Sequence, residues 1–181
     1  MPNYISLMLI GLSSSLIMLA LFLISKEKKK FSFPFILTSI ILIIPSFHLI
    51  FNWPLEEKSY NILFGEPAIL LGMLMFFAGL SLILEIDLFY LSILGFIFGL
   101  LSVELGVRII NLKLTYMPIL AGIGYVLTGI CGIISPFTLK FQNKKMNFLG
   151  VLLLILSAFI WIFIGFLAYW LHLEMFLKKG G

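Results

Sequence analysis

The ionisable residues are few enough to weigh one by one: twelve Lys or Arg, eight Asp or Glu and two His in 181 residues. Glu104 and Arg108 stand four apart, which puts them on one helical face within ion-pairing reach. At a cavity mouth such a guanidinium can also hold an anion or a carboxylate. The plainer reading is a neutralised pair, with Arg108 snorkelling to the headgroups. His48 lies within an apolar run, and an imidazole there can ligate haem or a metal, or relay protons near neutral pH. His172 is the only other histidine, so a bis-histidine haem b would need both. An interfacial histidine bonded to a backbone carbonyl explains His48 equally. Glu66 precedes Pro67, which fits a helix N-cap followed by proline at the first helical position. Glu174 follows His172 by two residues.

No phosphate loop, metalloprotease helix, nucleophile elbow or paired-carboxylate hydrolase pattern occurs, so no catalytic residue is assigned. Cys131 is the one cysteine and sits in an apolar run. That leaves no disulfide framework and no thiolate pair for a metal.

The elements that must carry these residues are set by composition. Hydrophobic residues make up 62% of the chain and charged residues 11%, with 19 Phe. Soluble domains carry roughly 25% charged residues, so the expected class is an all-α, polytopic membrane bundle. Six segments are long enough to cross about 30 Å of hydrocarbon as helices: 4–25, 33–53, 67–84, 88–108, 115–139 and 147–171. Together they make one transmembrane domain. The net charge of +4 comes from lysine clusters between the runs, a pattern of topology and headgroup contact rather than of nucleic-acid binding. The loops after the first, third and fifth segments carry seven basic residues against five on the other side. The positive-inside rule then predicts cytoplasmic lysine loops and both termini outside, and the expected location is the plasma membrane. In that orientation His48, Glu66, Glu104, Arg108, His172 and Glu174 all fall toward the outer face, where they can meet around one vestibule.

Small residues form seams. In the fourth segment Ser92, Gly95, Gly99, Ser102 and Gly106 recur at steps of three and four and share a stripe, with Gly95 and Gly99 in a small-xxx-small contact. Gly65, Gly72 and Gly79 recur every seven residues along the third, and Ala121, Gly124, Thr128, Cys131 and Ser135 line the fifth. The Glu104 and Arg108 face lies about 160° from the fourth-segment stripe at ~100° per residue. Charged groups avoid lipid, so the fourth helix is expected to be central.

After the second segment the chain reads Asn52-Trp53-Pro54-Leu55, then Tyr60-Asn61-Ile62-Leu63-Phe64-Gly65-Glu66-Pro67. This motif resembles that of a family of small prokaryotic polytopic membrane proteins known only as a domain of unknown function. The resemblance implies a multi-helix membrane protein and supplies no reaction, substrate or cofactor. From the residues themselves, Pro54 stops a helix, Trp53 and Tyr60 suit the headgroup level, and the loop is expected to carry Glu66 toward His48.

The functional expectation is a non-catalytic subunit or scaffold, packed in the bilayer among lipids, other membrane subunits or copies of itself, in a respiratory or other energy-transducing complex. A small transporter or channel with an outer vestibule is the alternative, weakened because the helix centres are nearly bare of ionisable residues. A haem- or quinone-binding electron-transfer protein is another.

Overall fold

The computed structural model describes residues 5–55, 57–141 and 143–179, and past Leu171 only the side chain of Glu174. Six long helices follow one another: α1 (Ile5–Ile24), α2 (Ser32–Asn52), α3 (Lys58–Leu84), α4 (Leu88–Leu112), α5 (Pro118–Phe141) and α6 (Lys144–Lys179). A 3₁₀ turn at Lys28–Phe31 joins α1 to α2. All six are long and apolar enough to cross a membrane, which fits a multi-pass membrane protein.

The ends have local causes. Trp53 closes α2 in the left-handed region (φ 45°), with its N–H on the Leu49 carbonyl, and Pro54 cannot continue the helix. Glu85 (φ 59°) closes α3, and the Asp87 carboxylate accepts from the Phe89 N–H at 2.9 Å to open α4. The Lys28 ammonium donates to the Phe22 and Leu23 carbonyls at the end of α1, where helix carbonyls lack partners.

Two boundaries differ from the sequence expectation by eight residues or more, and α4 runs four residues past its expected end, to Leu112. The third helix begins at Lys58, not Pro67, so Glu66 and Pro67 lie inside it and Glu66 is not its N-cap. A substitute hydrogen bond accommodates the proline. Pro67 has no N–H for the Leu63 carbonyl four residues back, and the buried Tyr125 hydroxyl of α5 donates to that carbonyl at 2.5 Å instead. At Pro136 the same deficit frees the Gly132 carbonyl, which accepts from Ser135 Oγ at 2.8 Å. Among the described residues α6 runs on to Lys179, beyond the expected end at 171.

The helices pack in chain order and α6 returns to α1, closing a ring. The pairs α4–α5, α2–α3 and α1–α6 are the closest, and α3–α4 is the sparsest seam although only a tight hairpin joins the two helices. Trp161, Leu16, Leu42, Leu49 and Ile109 fill the core. The expectation of a central fourth helix fails: 11% of the α4 span is buried, against 44% for α1. Its small-residue stripe is spent chiefly on α5, and the opposite face points out of the ring.

Candidate functional site

The interior holds a polar network on α4, α5 and α6 facing α3. Ser102 Oγ donates to the Tyr125 carbonyl at 2.8 Å, across the α4–α5 seam. One α5 carbonyl, that of Gly124, accepts from Thr128 Oγ1 (2.8 Å) and from Ser157 Oγ of α6 (3.2 Å). The two hydroxyls lie 2.6 Å apart, and Trp161 Nε1 donates to Thr128 Oγ1 at 3.2 Å. The Trp161 ring meets Tyr125 edge-on at 4.9 Å. Every polar atom in this group is therefore partnered, as a low-dielectric interior requires.

Two apolar cavities flank the network, of about 90 and 170 Å³. The smaller is lined by Phe64, Pro67 and Leu71 of α3, Phe98 and Leu101 of α4, and floored by Tyr125, Thr128 and Trp161. The larger extends toward the lysine-rich end, past Met75, Ala78, Leu88, Leu91 and Cys131. They share Leu71, Thr128 and Gly132, so they adjoin. Both have one flank on α3 and α4, where the ring is loosest, and Leu101 on the rim is 43% exposed.

The polar residues singled out from sequence sit differently. Glu104 and Arg108 are brought together, Oε1 to Nη2 at 3.8 Å, on the outward side of α4 with side chains 66% and 64% exposed. His48 Nδ1 lies 2.9 Å from Asn52 Nδ2 on its own helix. Glu174 accepts from Trp170 Nε1 at 2.9 Å, one turn back on α6. Glu66 is exposed on α3, and the His172 side chain lies outside the described residues. Among the described residues the backbones of α2, α4 and α6 do not approach one another closely, so His48, Glu104 and Glu174 stand on helices that are not neighbours in the ring.

The small residues face neighbours at backbone distance. A methyl group added at Gly99 would lie 2.5 Å from the Gly129 carbonyl oxygen of α5, and one at Gly106 2.6 Å from that of Gly122. At Gly95 the nearest atom would be Ser135 Oγ at 3.1 Å. Gly72 and Gly79 of α3 would meet Ile43 and Ile36 of α2 at 2.8 and 2.7 Å.

The family described as a protein of unknown function, DUF981, matches residues 1–175. The chain belongs to that family. No curated protein and no solved structure matches it.

In this DUF981 chain the segment from Asn52 to Pro67 does structural work that its sequence does not announce. Asn61 is fully buried; its Oδ1 accepts from the Leu55 N–H and its Nδ2 donates to the Leu55 and Lys58 carbonyls, all at 3.3 Å. One side chain thus ties Leu55 to the start of α3. Tyr60 packs edge-on against Phe64 at 5.7 Å, and Gly65 lets Leu49 and Ile50 of α2 come close. Sequence reasoning had no signal for Tyr125, Ser157 and Trp161 beyond the four-residue spacing of the last two.

Proposed function

We propose that this protein is a non-catalytic subunit of a plasma-membrane complex, a scaffold held to a partner subunit through the outward face of α4. Glu104 carries the reading. It lies eight residues before Leu112, the end of a 25-residue helix. At ~1.5 Å per residue that is about 12 Å from the helix end, and about 8 Å inside a ~30 Å hydrocarbon layer. A carboxyl group two-thirds exposed at that depth, whose contact with Arg108 spans 3.8 Å, is costly in lipid and is better satisfied by a protein neighbour. The partner is a transmembrane helix bearing a hydrogen-bond donor or cation at the same level. Ile93, Ile97 and Leu100 continue the exposed face toward the membrane centre. With the lysine-rich loops in the cytoplasm, both termini and this contact lie toward the outside.

The test is gentle detergent purification from the native membrane, with mass spectrometry and an absorption spectrum on the same peak. A partner in stoichiometric amount is expected, lost in a Glu104→Leu variant that still folds. A colourless, partner-free monomer overturns the reading.

A further inference from the structure

We propose that the opening between α3 and α4 is a binding site for one membrane phospholipid, an acyl chain lying in the two adjoining cavities and the phosphate on Arg108. Three observations converge on this. The first is the cavity itself: an apolar void of about 150 Å³ already accepts a benzene-sized guest, and the larger of the two measures about 170 Å³. The second is its direction. The lining runs along α3 from Phe64 to Ala78, which at ~1.5 Å per residue is about 21 Å, much of the depth that an acyl chain occupies in a ~30 Å hydrocarbon layer. The third is charge at the mouth. Leu101 lines the cavity rim, and Arg108 stands seven residues further on, about 10 Å along the same helical face. That puts Arg108 about one turn from the end of α4, a depth from which its long side chain can snorkel to the headgroup level. A planar fork of donors recognises phosphate in two-point contact, and the single 3.8 Å contact to Glu104 engages one Nη.

The site is distinct from the proposed partner contact. By helical position Glu104 points directly away from α5, whereas Arg108 is turned about 40° from it, toward the Leu101 side. A phospholipid wedged there also explains how the sparsest seam of the ring stays filled, since close packing rather than hydrophobic drive holds helices together in lipid. The inference does not depend on the existence of a partner subunit.

The experiment uses the full chain purified in mild detergent, washed free of loosely held lipid and analysed by native mass spectrometry with lipid extraction. One phospholipid retained per chain is expected. Arg108→Gln should lower its retention about tenfold, the size of one lost charge-assisted hydrogen bond, while Glu104→Gln leaves it in place. Cys131, the sole cysteine, lines the larger cavity and reports without substitution: an apolar maleimide should label it several-fold faster after stripping by delipidation, and slowly again when dioleoylphosphatidylglycerol is restored. Retention that is absent, or indifferent to Arg108→Gln, or a labelling rate unchanged by phospholipid, overturns the proposal, as does an isoprenoid quinone in place of the phospholipid. Loss of a partner in Glu104→Leu with phospholipid still bound would leave this site standing on its own.

Discussion

The two sides of α4 are built on opposite principles. Toward α5, glycines bring backbone against backbone: Gly95, Gly99 and Gly106 on one helix meet Gly132, Gly129 and Gly122 on the other. Toward α3, bulky side chains such as Phe98 and Leu101 stand around a cavity instead of closing it. Both seams join helices adjacent in the chain, so connectivity does not separate them. Side-chain volume does. Where no Cβ intervenes, the helices approach until carbonyls meet Cα atoms and dispersion is maximal. Where leucine and phenylalanine face each other without interlocking, apolar space remains and lipid can compete for it.

The most damaging way to break this contrast is Gly99→Leu. The added side chain begins 2.5 Å from the Gly129 carbonyl and 2.7 Å from the Ile133 nitrogen, where only backbone could move. A loss of about 3 kcal/mol or more is expected, the upper range for overpacking, seen as a fall of roughly 10 °C in the thermal midpoint in detergent. Leu101→Ala, on the loose side and 43% exposed, should cost less than about 1 kcal/mol. Equal falls for the two variants would remove the distinction between the seams.

A smaller effect sharpens the account of the interior. Tyr125→Phe deletes the hydroxyl that replaces the missing proline N–H at the Leu63 carbonyl. The carbonyl is then stranded, at a cost of about 1–2 kcal/mol. Pro67→Ala restores a helical N–H to the same carbonyl. Tyr125→Phe should therefore cost about 1 kcal/mol less in the Pro67→Ala background than in the parent. A double-mutant cycle of thermal midpoints measures this coupling, and additivity within error would mean the hydroxyl is not serving as the substitute donor.

The same bond shows what a single sequence reveals and what it hides. Six membrane-spanning helices follow from run length and composition, because lipid allows little else. The Glu104–Arg108 pairing follows from four-residue spacing. The start of α3 did not follow, because Glu66-Pro67 reads locally as a helix entry and the hydroxyl that pairs the freed Leu63 carbonyl comes from a tyrosine 62 positions further along the chain. The Thr128, Ser157 and Trp161 group was equally illegible, since its contacts span 29 and 33 positions and exist only once α5 and α6 are neighbours. The cavities are further removed still: they are properties of an unfilled seam, and no residue type encodes them. The expected centrality of α4 assumed that a charged face must be covered by the chain that carries it.

The smallest expected effect concerns a charged tie at the turn where the loose seam begins. Lys29, in the 3₁₀ turn, donates to Glu85 at 2.6 Å and so links the α1–α2 connection to the α3–α4 hairpin. The hydrogen bond and the positive charge of Lys29 hold the Glu85 carboxyl below its ordinary range. A carboxyl depressed in the folded state contributes stability that is fully present above its unfolded value, about 4.3, and is lost as pH falls through the folded value. Both side chains are well exposed, 65% and 74%, so water and salt screen the pair. Lys29→Ala should return the Glu85 titration to the ordinary carboxylate range in an NMR pH series, while shifting the neutral-pH thermal midpoint by less than about 1 °C. A larger fall would mean that the hairpin is anchored at its turn rather than by the glycine seam on the far side of α4. An unmoved Glu85 titration would mean that the Lys29 contact does not persist in solution.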